Sequence, residues 1–172
     1  MIALYAPSEA DRGIIPGILA EAYRDGHFIG QDSLLAFALM DSWLRDEYPN
    51  LALDSSTWAE MFDQVGFIDN LAPAERPVSL PTLYRASVPG QELGMSWADN
   101  RGKAEYFHER HRHLGWASVL LMLDSTDPTI AVAHHHGPDW RDEYEWVLDL
   151  RSVDAACLTI LDRIDGDPPP TG

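Results

Sequence analysis

An α+β fold is predicted by three observations on this 172-residue chain: helical apolar spacing in the first third, prolines at 73, 77 and 81, and short apolar runs separated by turns thereafter. Hydrophobic residues make up 45% of the chain, enough to build the core of one compact domain. Within it, residues 1–81 are expected to form a helical layer packed on a β-rich core at 82–165. Residues 166–172 carry a Gly-Asp-Pro-Pro-Pro run and are expected to be disordered.

The first helix opens near Pro16, repeats Ile18, Leu19, Ala22 and Tyr23 at helical spacing, and ends at Gly26. The second takes Asp32 or Ser33 as cap, with Leu35, Leu39 and Trp43 as one stripe that Leu34 and Phe37 widen, and stops at Tyr48-Pro49. A third starts at Ser55-Ser56-Thr57, aligns Trp58, Met61, Phe62 and Val65, and meets Gly66. The proline-spaced stretch from Leu71 to Pro81 reads as an extended connector.

Strands are then expected at Thr82–Ala86, Gly94–Trp97, Trp116–Leu123, Thr129–Ala133 and Tyr144–Leu150. Between the second and third, Asp99 can cap a helix in which Ala104, Phe107 and His111 share a face, with Gly115 ending it. Val153, Ala156, Cys157, Ile160, Leu161 and Ile164 match helical spacing, so a last helix is expected there, with Cys157 buried among apolar neighbours.

Charge narrows the function. Acidic residues outnumber basic ones 28 to 12, a formal charge of −16 that repels a phosphate backbone and argues against broad nucleic-acid binding. A local basic site for one nucleotide, or a basic protein partner, stays compatible with it. No apolar run reaches the roughly 18 residues needed to cross a bilayer, and no signal-peptide pattern is present. The single cysteine makes no internal disulfide, so the expectation is a soluble, cytoplasmic protein.

Three segments carry polar groups beside aromatic ones at strand ends: Leu83-Tyr84-Arg85, Gly94-Met95-Ser96-Trp97 and Glu143-Tyr144-Glu145-Trp146-Val147-Leu148. In order and spacing they resemble the ADP-ribosyltransferase superfamily, in the branch defined by a first-strand Arg, a second-strand Ser and a late-strand Glu. The resemblance spans about Leu83 to Leu150 and matches Arg85, Ser96 and Glu145 to that trio; Glu143 completes a Glu-x-Glu pair. The helix bearing Ala104-Glu105-Tyr106-Phe107 also follows the family's pattern.

What the resemblance implies is a split β-sheet core and a small bacterial or phage toxin-type mono-ADP-ribosyltransferase or effector. It would use NAD as co-substrate and a macromolecular, most simply protein, acceptor, and a cognate antitoxin is a conceivable partner. Breaking the nicotinamide–ribose bond builds positive charge on the sugar, which a carboxylate at Glu145 would stabilise. Arg85 would hold pyrophosphate or ribose, Ser96 would set the pocket's geometry, and Glu143 would orient the acceptor. Tyr84, Trp97, Tyr106 and Phe107 are candidates for the nicotinamide wall. The implied arrangement is a guanidinium, a hydroxyl and a carboxylate from three strands lining one pocket.

Each residue also has an ordinary use: Arg85 in a surface ion pair, Ser96 as a strand-end hydroxyl, Glu143 and Glu145 on the wet face of an edge strand, the aromatic rings in a core. Two other functional readings stand beside the transferase: an NAD hydrolase with water as acceptor, and a catalytically silent acidic module that binds or inhibits a basic partner. A metal site is not expected. His134-His135-His136 alternate across an extended segment, and His108, His111 and His113 lack the spacing of helical zinc ligands.

Overall fold

The computed structural model describes residues 14–46, 49–125, 127–136 and 144–168. The protein is a mixed α+β chain that divides into two compact units, 1–74 and 75–172.

In the first unit, α1 (Ile14–Arg24), α2 (Asp32–Arg45), α3 (Pro49–Ala52) and α4 (Ser55–Val65) precede a hairpin of β1 (Ile68–Asp69) and β2 (Ala72–Pro73). Asn70 takes the turn at φ 56°, a left-handed conformation that asparagine tolerates better than most residues. The core joins α2 to α4. Trp43 meets Trp58 edge-on at 5.1 Å and Phe62 at 6.1 Å, with Leu35, Leu39, Met40 and Met61 buried around them. The Trp58 indole N–H donates to the Pro49 carbonyl, so its one polar atom is satisfied where water cannot reach.

Several boundaries differ from the sequence reading. The residue capping α4 is Asp54, whose carboxylate accepts from the Thr57 amide at 2.9 Å and from the Ser56 and Thr57 hydroxyls. Those donors hold the Asp54 carboxyl well below the usual carboxylate range. Neither Asp32 nor Ser33 caps α2; Gln31 occupies that position without a side-chain bond, and Asp32 begins the helix. Leu34 and Phe37 do not widen the buried stripe, because both lie exposed on the opposite side of α2.

The second unit holds β3 (Leu83–Ser87), β4 (Ser96–Ala98), α5 (Arg101–His113), β5 (Ser118–Leu123), β6 (Ala131–His135), β7 (Glu145–Leu148) and β8 (Leu158–Ile164). Its strands pair antiparallel in the order β6-β7-β4-β3-β5-β8. The sheet buries Val119, Leu121 and Leu123 on one face, while α5 lies against β3, β4 and β5 on the other. Asn100, not Asp99, caps α5 through the Gly102 amide, and the residues it buries are Ala104 and His108, with Phe107 partly exposed.

The helix expected over Val153–Ile164 is absent. Ala155–Cys157 form a short 3-10 turn capped by Asp154, and Leu158–Ile164 then pair along β5 with an irregularity at Leu120/Leu121. That irregularity shifts the alternation by one residue, which makes a strand's apolar positions mimic helical spacing. Thr159, Ile160 and Ile164, all β-branched, favour the extended form. Cys157 is exposed, contrary to the burial its neighbours suggested. Part of the expected disordered tail is ordered: Asp167 donates to the Gly115 carbonyl and accepts from Ala117. Gly166 lies so close to that loop that a Cβ would stand 2.6 Å from the Gly115 oxygen.

Gly17 lies inside α1 with nothing within 4 Å of where a Cβ would be. Gly17→Ala should therefore raise stability by about 0.5–1 kcal/mol in urea unfolding, since alanine loses less backbone entropy in a helix.

Candidate functional site

Although separated along the chain, the strands bearing Glu145, Ser96 and Arg85 are consecutive neighbours, β7-β4-β3. Ser96 pairs with Val147, and Ala98 with Glu145. Because side chains two apart on a strand share a face, Ser96 and Glu145 stand diagonally on the same face, at the roughly 7–8 Å expected of such neighbours. Both are half-buried. Glu143 lies outside the described residues.

Arg85 is not brought onto that face. Tyr84 pairs with Ala98 and so shares the side of Ser96 and Glu145, whereas Arg85 alternates to the side of Leu83 and Ser87. Its guanidinium reaches β4 through the backbone: Nη1 donates to the Ser96 carbonyl at 2.6 Å, and the buried Nε has no hydrogen-bond partner among the described residues. Burial pushes the Arg85 pKa down to about 10, opposed by the negative charges of Glu145 and then Glu92. Arg85 and Glu145 are thus coupled electrostatically from opposite faces. Gly94 lies against the guanidinium so tightly that a Cβ there would overlap Nη2 and stand 2.6 Å from Cζ.

The four aromatic candidates separate as well. Tyr84 is half-buried on the Ser96–Glu145 face. Trp97 is only 2% exposed and donates its indole N–H to the Gly94 carbonyl, which makes it a core residue holding the 91–94 turn and not an open wall. Tyr106 and Phe107 stack edge-on at 5.4 Å and are 63% and 37% exposed, on the part of α5 turned away from its buried residues. On the sheet face that carries Leu121, Gly90, Glu92, Leu93, Ala155, Leu158 and Ile160 line an open cavity of about 320 Å³.

A polar cluster that the sequence reading missed lies between α5 and the sheet. His108 and His111 both direct Nδ1 at the Ser118 hydroxyl, at 2.8 and 2.9 Å, and His108 Nε2 faces Asp162 at 3.4 Å. Its components match a carboxylate, an imidazole and a hydroxyl, but Ser118 is 0% exposed, so no substrate can reach it as a nucleophile. The signal available in sequence was the i, i+3 histidine pair, whose partner on β5 no local pattern could reveal. In the other histidine group, His134 stacks on Trp146 at 4.1 Å and His136 lies 4.8 Å from His134. His135 is buried.

No family model, curated protein or solved structure matches the chain. Among the described residues no helix is long and apolar enough to cross a membrane.

The close approach of Gly94 yields a test. Gly94→Ala should dislodge the Arg85 guanidinium and break its bond to the Ser96 carbonyl, lowering stability by about 1–3 kcal/mol in chemical denaturation. An unchanged midpoint would mean that the 91–94 turn shifts freely.

Proposed function

We propose that the protein cleaves NAD at the nicotinamide–ribose bond and transfers ADP-ribose to a macromolecular acceptor, as its resemblance to the ADP-ribosyltransferase superfamily implies. The observation that carries this reading is the adjacency of the three motif strands, which puts Ser96 and Glu145 on one face, with the partly buried Arg85 guanidinium on the other.

Glu145 is the chemical centre. As the bond breaks, its electron pair leaves with the nicotinamide nitrogen, the ring departs neutral, and the ribose carbon becomes cationic. A carboxylate fixed beside that carbon stabilises the charge as it develops, with no reorganisation at the moment of reaction. The acceptor's nucleophilic atom then bonds to the same carbon and releases its proton; water in that role gives hydrolysis. Ser96 supplies a hydroxyl on the same face to orient the carboxylate or the sugar.

Arg85 takes a different part from the one the family pattern suggests. With one nitrogen on the Ser96 carbonyl, it anchors the start of β4, and the negative charge of Glu145 in turn favours the charged guanidinium. Tyr84 remains a candidate for the nicotinamide wall, Tyr106 and Phe107 are placed better for contact with the acceptor, and Trp97 belongs to the core.

Incubation of the whole chain with NAD labelled in the adenosine half should release nicotinamide and leave label either on an acceptor protein or in free ADP-ribose. Glu145→Gln should lower that rate by about 10²–10³ while leaving the fold intact, since it removes charge without changing shape. If the wild-type protein neither binds nor consumes NAD, the reading fails.

A further inference from the structure

We propose that His111, Ser118, His108 and Asp162 form a one-way hydrogen-bond chain which accommodates a single added proton, and that it makes the seating of α5 on the sheet pH-sensitive. The proposal stands independently of the chemistry assigned to Glu145.

The direction of the chain follows from counting protons. A serine hydroxyl has one hydrogen to donate and lone pairs to accept with, yet two imidazoles aim Nδ1 at the Ser118 oxygen. One must donate and the other accept. His108 Nε2 faces the Asp162 carboxylate, which only accepts, so His108 carries its proton on Nε2 and leaves Nδ1 as the acceptor. The Ser118 O–H then points to His108, and His111 must be the neutral form with its proton on Nδ1. The neutral network is satisfied in one arrangement only.

Adding one proton reverses the middle of the chain. If His108 gains a proton on Nδ1, Ser118 must accept from both rings and turn its hydrogen to the Ser87 carbonyl, a long 3.5 Å away. A second proton, on His111, puts two cations on one hydroxyl at the buried face of α5.

The charges around the pair are unequal, with more cations than carboxylates facing it. Arg110 on α5 and Arg85 on β3 add positive charge near His111, Arg112 on α5 lies 3.8 Å from Asp162 and competes for it, and Asp162 on β8 is, among the described residues, the carboxylate bonded to the pair; Glu109 is engaged by Arg112 at 3.2 Å. Ser118 on β5 contributes no charge. Burial, first, and then the positive charges of His108, Arg110 and Arg85 hold the His111 imidazole below its ordinary value. The unfolded chain therefore takes up a proton there before the folded one does. The stability this group contributes is complete above about pH 6.5 and is lost as the pH falls through the lowered folded value.

The test compares thermal unfolding of the wild type and His111→Asn at about pH 7.5 and about pH 5. Asparagine keeps an amide donor near the Nδ1 position but cannot titrate. The wild type should lose a few degrees more in Tm than the variant over this interval. Equal losses overturn the proposal. Nitrogen NMR of the wild type supplies a second arm that needs no variant: at the higher pH, His108 should carry its proton on Nε2 and His111 on Nδ1. The opposite tautomer at either ring, or two rings that titrate independently of each other, overturns it as well.

Discussion

The antiparallel pairing of β3 with β5 over five consecutive residues, Leu83↔Leu123 to Ser87↔Val119, is the constraint on which the second unit depends. It makes β3 an interior strand with β4 on its other side, and so decides which residues face α5 and which face the opposite layer. Every placement in the candidate site is read outward from that register. A one-residue slip would exchange Arg85 with Tyr84 and Ala86, carry the guanidinium under α5, and move Tyr84 away from Glu145.

Two buried polar groups flank this strand pair, and the structure handles them differently. Arg85 keeps its charge in a poorly solvated place by giving one nitrogen to a main-chain carbonyl and lying within the field of Glu145 and Glu92. Glycine at position 94 is what leaves room for it. On the α5 side, Ser118 settles the demands of two imidazoles with one hydroxyl. The first group ties β3 to β4 and the second ties α5 to β5, so polar contacts reinforce both sides of a sheet whose apolar residues would tolerate small slips.

α1, α2, α4 and α5 and the five strands from β3 to β7 are legible in the sequence to within a few residues, because each is a local pattern of period 3.6 or 2 bounded by prolines, glycines or capping side chains. β8 is not legible there, because its irregular register breaks the alternation and leaves spacing that suits a helix. On α5 helical spacing favours Phe107 for the inner face, yet His108 is the buried residue, since a histidine's burial depends on a partner that sequence distance hides. Of the candidate site, the identities of Arg85, Ser96 and Glu145 were legible as short motifs at strand ends. Their mutual orientation was not, because the side on which a residue emerges depends on which strands pair and in what register.

By itself, then, the sequence determined the mixed α+β class, most of the elements, the excess of negative charge, and the presence of Arg85, Ser96 and Glu145 at strand ends. These are local or summed properties of the chain. Only the tertiary structure decided that the strands of Glu145, Ser96 and Arg85 are neighbours, that Arg85 emerges on the far face from the other two, that Trp97 belongs to the core, and that two histidines share one serine. Each of those depends on hydrogen bonds between residues distant in sequence, whose pairing is selected by the joint burial of both partners and not by either segment alone.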